Sequence, residues 1–332
     1  MASRSRGWLV KLGQAALGTA VALIVLNYAF LAGGYFTGHQ RMYMFDSMLG
    51  WRVLPNLEGA RTPYVTYTDV HGFRILPGEP RAIKAFDVML VGDSFCFGSW
   101  FSAEQTLAGM LKQGHPSLRI ANTSVPGFGT DQELLALQRY APMLKPGGVV
   151  VLLTYINDFD DIRDRWEEVR QKPLFTIDGA NLVLERPDSL LNRFLWSAHV
   201  FSVTAYLTSL AFGLQPEIYG DDAYAAQLYT ALLVQMAAVA RARHARFIVL
   251  FTAGRGAYTP SGRRGAVVVR EAAARAGATF FSLDDQNPLG PSMFAADKIH
   301  WNAAGNRAIY DFIAPRLEPL LPGYSTALST AH

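Results

Sequence analysis

The chain has 332 residues, half of them hydrophobic and only 17% charged, below the roughly 25% usual for soluble domains. Thirty basic and 27 acidic residues leave a formal charge of +3 with no long basic run or basic-aromatic stripe, which argues against nucleic acid as a partner. A single cysteine, Cys96, excludes an intrachain disulfide and any multi-cysteine zinc or iron-sulfur site.

The apolar excess is uneven, with no Lys, Arg, Asp or Glu between Lys11 and Arg41. Segment 15–36 supplies the roughly 20 residues of helix that a bilayer core requires. It is longer than a cleavable signal core and has no clean small-x-small site after it. The expectation is an uncleaved transmembrane signal anchor. Arg4, Arg6 and Lys11 precede it, so the positive-inside rule keeps residues 1–14 in the cytoplasm and sends the rest outside, into the periplasm in a Gram-negative cell.

Residues 37–85 read as an extracytoplasmic preamble of turn signals and short β-type runs, such as Tyr64-Val65-Thr66-Tyr67. Strands and helices then alternate. Predicted strands are 86–91, 119–125, 149–155, 247–252 and 278–283. Helices are predicted at 102–113, from Thr130 with Glu133 completing a capping box, at 221–243 and 263–276, and from Asn302. Near-continuous apolar strands separated by helices imply a parallel sheet covered on both faces, an α/β domain over 86–320 followed by a tail at 321–332. An insertion at 160–220 breaks the rhythm with a hairpin signal at 175–184 and a second apolar stretch at 194–216, diluted by Ser, Thr and His.

Ligands of open α/β sheets sit beyond the carboxyl ends of the strands. Four such places carry polar residues: Gly92-Asp93-Ser94, Asn122 to Gly127, Asn157-Asp158, and Asp297-Lys298-Ile299-His300. A serine becomes a nucleophile when a histidine takes its proton and a carboxylate fixes that histidine's tautomer. Ser94, His300 and Asp297 suit these catalytic roles, and the spacing of three lets one turn present the last two. The backbone N–H groups of Ser94 and Gly127 and the carboxamide of Asn157 are candidate oxyanion donors. A membrane span at 194–216 would put Ser94 and His300 on opposite sides, so that stretch is expected as a lid, core or membrane-surface helix.

Rival chemistries are weaker. Nothing in the sequence near Cys96 lowers a thiol pKa, and its ordinary reading is a small buried hydrophobe. Asp158, Asp160, Asp161 and Asp164 suggest calcium, but the glycine and terminal glutamate of an EF-hand loop are missing. Gly127-Phe128-Gly129 fits neither nucleotide motif. No metal and no cofactor are expected.

As a set, the four blocks resemble the SGNH hydrolase superfamily, the GDSL-type esterases and lipases. Gly92-Asp93-Ser94-Phe95 resembles its first block, Asn122 to Gly127 the second, Asn157-Asp158 the third, and Asp297-x-x-His300 with Trp301-Asn302-x-x-Gly305 the last. Leu49-Gly50-Trp51 and His71-Gly72-Phe73-Arg74 are similar to the preamble of membrane-anchored bacterial members. Two departures are Phe95-Cys96 after the serine and Tyr155-Ile156 before Asn157, where many members have glycine. The resemblance implies a flavodoxin-like three-layer α/β/α sandwich and a serine esterase, foremost on O-acetyl esters of carbohydrate. Alternatives left open are an O-acyltransferase of polysaccharide assembly, which would need a polytopic membrane partner, a lipase, and a non-catalytic exopolysaccharide-assembly module.

Overall fold

In a computed structural model that describes residues 2–36, 42–62, 64–167, 170–179, 181–186, 223–257, 259–285 and 289–323, the chain begins with helix α1 (Ala2–Phe36). Within it Val10–Leu26 is an apolar helical stretch, and side chains such as Leu17, Val21 and Val25 are exposed. The preamble follows as β1 (Tyr43–Asp46), β2 (Gly50–Val53), β3 (Ala60–Thr62), β4 (Tyr64–Thr68) and β5 (Arg74–Ile75). These pair antiparallel as a two-stranded and a three-stranded sheet.

The central domain runs β6 (Phe86–Gly92), α2 (Ser94–Phe97), α3 (Leu107–Gly114), β7 (Ile120–Asn122), α4 (Thr130–Tyr140), β8 (Leu144–Tyr155) and α5 (Asp158–Asp161). Next come β9 (Trp166–Glu167), β10 (Arg170–Gln171), β11 (Leu174–Asp178) and β12 (Asn181–Glu185), then α6 (Ala223–Ala242), β13 (Arg246–Thr252), α7 (Pro260–Ala276), β14 (Thr279–Ser282) and α8 (Ala303–Leu317).

Five of these strands form one parallel sheet ordered β14-β13-β8-β6-β7. Read from the other end this is the 2-1-3-4-5 order of flavodoxin-like sheets, whose switch point lies between the first and third strands, β6 and β8. Both sheet faces are buried, and the two-residue period of a strand divides its side chains between them. Val88, Leu90, Val151 and Leu250 join one core with α3 and α8. Met89, Val91, Leu152 and Val249 join the other, with α4, α6, α7 and the preamble. The result is the three-layer α/β/α sandwich.

Several local expectations need correction. The strand expected over 119–125 ends at Asn122, because Thr123 N–H and Val125 N–H turn back to Leu90 O and Gly92 O at 2.9 and 3.1 Å. The helix expected at 102 is a 3-10 turn at Ala103–Gln105 followed by α3, which is capped by Thr106. The N-cap of α4 is Gly129, whose own N–H donates to Gln132 Oε1 at 3.4 Å, so Thr130 and Glu133 form no capping box. Thr130 and Glu133 are instead buried, with Thr130 Oγ1 donating to Asp158 Oδ2 at 3.1 Å.

Of the insertion, the hairpin β11-β12 is present, with Asp178 opposite Asn181 at its turn. Lys172 next to it reaches into the core and forms a fully buried ion pair with Asp131 on α4. The apolar stretch at 194–216 lies outside the described residues. By length and composition, α6 also passes the test of a helix that could cross a membrane. Its residues Leu228, Tyr229, Leu232 and Met236 are buried in the sandwich core, which accounts for that composition without a bilayer.

Candidate active site

Ser94 opens α2 immediately after β6. A Cβ on Gly92 would lie 2.6 Å from both Cys96 Cβ and Leu153 O, so glycine is required for so abrupt a turn from strand to helix. Asp93 caps the turn, its carboxylate accepting from Phe95 N–H at 2.8 Å. Burial pushes the Asp93 carboxyl up to about 6, against the lowering pull of that N–H and of His300.

The acid-base partners arrive on the loop before α8. Ser94 Oγ lies 2.7 Å from His300 Nε2, and His300 Nδ1 lies 2.6 Å from Asp297 Oδ2. The other Asp297 oxygen accepts the backbone N–H groups of Ile299 and His300 at 2.9 and 3.1 Å. Lys298 between them has φ 61, a left-handed conformation uncommon for a side chain of this kind. The loop is closed by a bridge between Phe294 and Trp301 and by Ala295 N–H donating to His300 O at 2.8 Å. Asn302 then caps α8 by accepting from Gly305 N–H at 3.0 Å.

Aromatic rings wall the histidine. Phe95 is 4.8 Å from the His300 ring and stacks on Tyr155 at 4.3 Å. Trp100, half-buried, lies 6.0 Å from the same imidazole ring. Phe95 and Tyr155, where the sequence departs from the blocks it resembles, are therefore partners of one another.

The candidate oxyanion donors come from three loops. The N–H of Ser94 begins α2. Gly127 adopts φ 79, in a loop fastened to the end of β6 by Val125 N–H and to the preamble by Trp51 Nε1 donating to Pro126 O at 3.3 Å. Asn157 follows β8, across the switch point from Ser94. Its Nδ2 donates to Asp161 Oδ2 at 2.7 Å, an interaction that orients the carboxamide and leaves its second N–H for another acceptor.

In the sequence, Asp161 stands only among the acidic residues that suggest calcium. Its spacing of four from Asn157 was the available signal, since such pairs face each other on a helical turn. Of the same acidic run, Asp158 is buried against Thr130 and Thr154. Its carboxyl is held well above the usual range by burial, then by repulsion from Asp93. Among the described residues, no group of three or more His, Cys, Asp or Glu is placed to hold a metal ion. Cys96 is fully buried, and burial pushes its thiol up to about 12, which removes it as a competing nucleophile.

No protein-family model matches the chain, and no curated protein sequence matches it. Among solved structures, TesA is similar at 17% identity and a TM-score of 0.43, over 70% of this chain and 99% of that one. A G-D-S-L family lipolytic protein from Veillonella parvula is similar at 11% identity and 0.43, over 69% and 96%. A family 3 carbohydrate esterase from Clostridium thermocellum is similar at 12% identity and 0.39, over 71% and 98%.

Proposed function

We propose that this chain is a membrane-anchored, extracytoplasmic serine esterase of the SGNH type that removes acyl groups, foremost O-acetyl, from carbohydrate. The observation that carries the reading is the continuous line of hydrogen-bonding atoms from Ser94 Oγ through the His300 ring to Asp297, at 2.7 and 2.6 Å.

In this reading His300 Nε2 takes the proton of Ser94 as Oγ attacks the ester carbonyl, while Asp297 fixes the tautomer and stabilises the imidazolium. The tetrahedral oxyanion accepts from Ser94 N–H, Gly127 N–H and Asn157 Nδ2. Collapse expels the alcohol, protonated by His300, and leaves an acyl-Ser94 ester. His300 then deprotonates a water that attacks this ester, releases the acid and restores Ser94.

The anchor is supported by the exposed apolar side chains of α1 and by the basic residues that precede them. A sugar substrate is supported by the half-buried indole of Trp100 beside His300, a rigid amphipathic surface of the kind that packs on a sugar ring. The test is hydrolysis by the detergent-solubilised chain. Release of acetate from an aryl acetate is expected, abolished in Ser94→Ala, and full retention of activity by that variant overturns the assignment. A panel of acetylated sugars against medium-chain acyl esters decides between carbohydrate and lipid substrates.

A further inference from the structure

The preamble segment His71-Gly72-Phe73-Arg74 has no part in the chemistry above. We propose that Arg74 is a positioning residue for Ser94, through which the preamble fixes both the turn that carries the nucleophile and the loop that brings Trp100 to His300. The inference rests on the assignment of Ser94 as nucleophile.

Arg74 is buried, and its guanidinium gathers three backbone carbonyls from one short stretch. One terminal nitrogen donates to Phe97 O at 2.8 Å and also to Gly98 O. The other donates to Phe101 O at 2.7 Å. Phe97 ends the turn that Ser94 begins, and its ring lies 5.1 Å from the guanidinium carbon. Gly98 returns its own N–H to Ser94 O at 2.9 Å, while Phe101 immediately follows Trp100. Carbonyls at the end of a helical turn have no donor within it. A planar guanidinium serves several at once in fixed directions, as a lysine ammonium does not.

The guanidinium is itself held rigidly. Arg74 pairs with Thr68 in the preamble sheet. The Asp69 carboxylate fixes the preceding turn by accepting His71 N–H and Phe73 N–H, each at 2.8 Å. Phe73 packs edge-on against Phe86, the first residue of β6, at 5.9 Å. Asp46 ties the preamble to α4 through a two-pronged contact with Arg139 at 2.6 and 2.8 Å. Both ends of β6 are thus braced by one element, at its start through Phe73 and beyond its end through Arg74. A buried cation gains little from burial alone, and burial pulls this one down to about 10 with Glu104 acting in opposition. What it gains is three carbonyl contacts, all on the chain that carries or follows Ser94.

The test compares Arg74→Met, Arg74→Lys and Arg52→Met in the full chain. Arg52 contacts Asp46 and His71 O and serves as the preamble control. The readouts are kcat and KM on 4-nitrophenyl acetate, the rate of fluorophosphonate labelling, and amide hydrogen exchange over residues 95–101. For Arg74→Met, kcat falls about 100-fold, the loss expected when a reacting atom shifts by ~1 Å, with KM within about twofold.

Labelling slows in parallel and exchange over 95–101 rises, at temperatures well below unfolding. Arg52→Met keeps its kcat, and Arg74→Lys is intermediate, which supplies the answer if the methionine variant does not accumulate. Retention of kcat and of exchange protection in both Arg74 variants overturns the proposal. A wild-type chain that neither hydrolyses nor labels overturns the nucleophile assignment instead, and exchange in Arg74→Met then still judges the clamp.

Discussion

The carboxylate of Asp297 holds His300 twice, through the ring at Nδ1 and through the backbone N–H of the same residue. One side chain therefore sets both the position of the turn and the tautomer of the imidazole it presents. Replacing Asp297 by Asn leaves an oxygen for the backbone but lets the ring nitrogens exchange roles. Aryl acetate hydrolysis is expected to fall roughly 10³-fold with little change in melting temperature. A loss below about tenfold would show that Asp297 is dispensable for proton transfer.

Asn157 is expected to depend on Asp161. Asn157→Ala removes a candidate oxyanion donor and lowers kcat about 10²- to 10³-fold. Asp161→Ala, which leaves the donor present but loosely aimed, lowers it roughly tenfold. The double variant should be no worse than Asn157→Ala alone, because both changes act on one contact. Additive losses in this cycle of kcat measurements would separate the two residues.

The Lys172–Asp131 pair joins the insertion to α4 with both side chains buried. Lys172→Met strands a carboxyl that burial already pushes upward and that Lys172 pulls down. The expected cost is about 3–5 kcal/mol in urea unfolding, largely recovered in the double variant Lys172→Met with Asp131→Asn. Equal stability of the single and double variants would mean that Asp131 is neutral without its partner.

Asp284 links stability to pH. Burial raises its carboxyl to about 6, although Ala253 N–H and Thr252 Oγ1 both donate to it. The folded state binds this proton more tightly than the unfolded one, so its contribution is full below pH 3.8 and is lost as pH rises through about 6. Asp284→Asn should therefore gain about 3 kcal/mol relative to the native chain at pH 8 and nothing at pH 3.5. Urea titrations at the two pH values measure the difference, and an equal effect at both removes Asp284 as the titrating group.

What the sequence disclosed followed from local rules. Ser94, Asn157 and His300 stand just beyond strands or just before a cap, where an open sheet presents polar groups, so their placement was legible from strand pattern alone. Thr130 and Glu133 misled because their spacing imitates a surface capping box, whereas the fold buries both beside Asp158. The role of Arg74 left no periodic trace, since its acceptors lie 23 to 27 residues along the chain in an irregular turn. Asp161 was legible only through its spacing of four from Asn157, since its helical turn of four residues is too short to show a periodic face.

The ladder that pairs Gly92 with Leu153 has a mechanical consequence. Ser94 and Asn157 hang from adjacent strands of one hydrogen-bonded sheet, so nucleophile and carboxamide share a rigid chassis. His300 and Asp297 ride on a separate loop outside that sheet, tied by its own bridge and cap and by Arg255 donating to Lys298 O at 3.4 Å. The approach of base to hydroxyl is therefore set by contacts outside the sheet, whereas the spacing of hydroxyl and carboxamide is set within it. Substitutions in the 293–302 loop are where catalytic rate can be retuned without disturbing the half of the site built on the sheet.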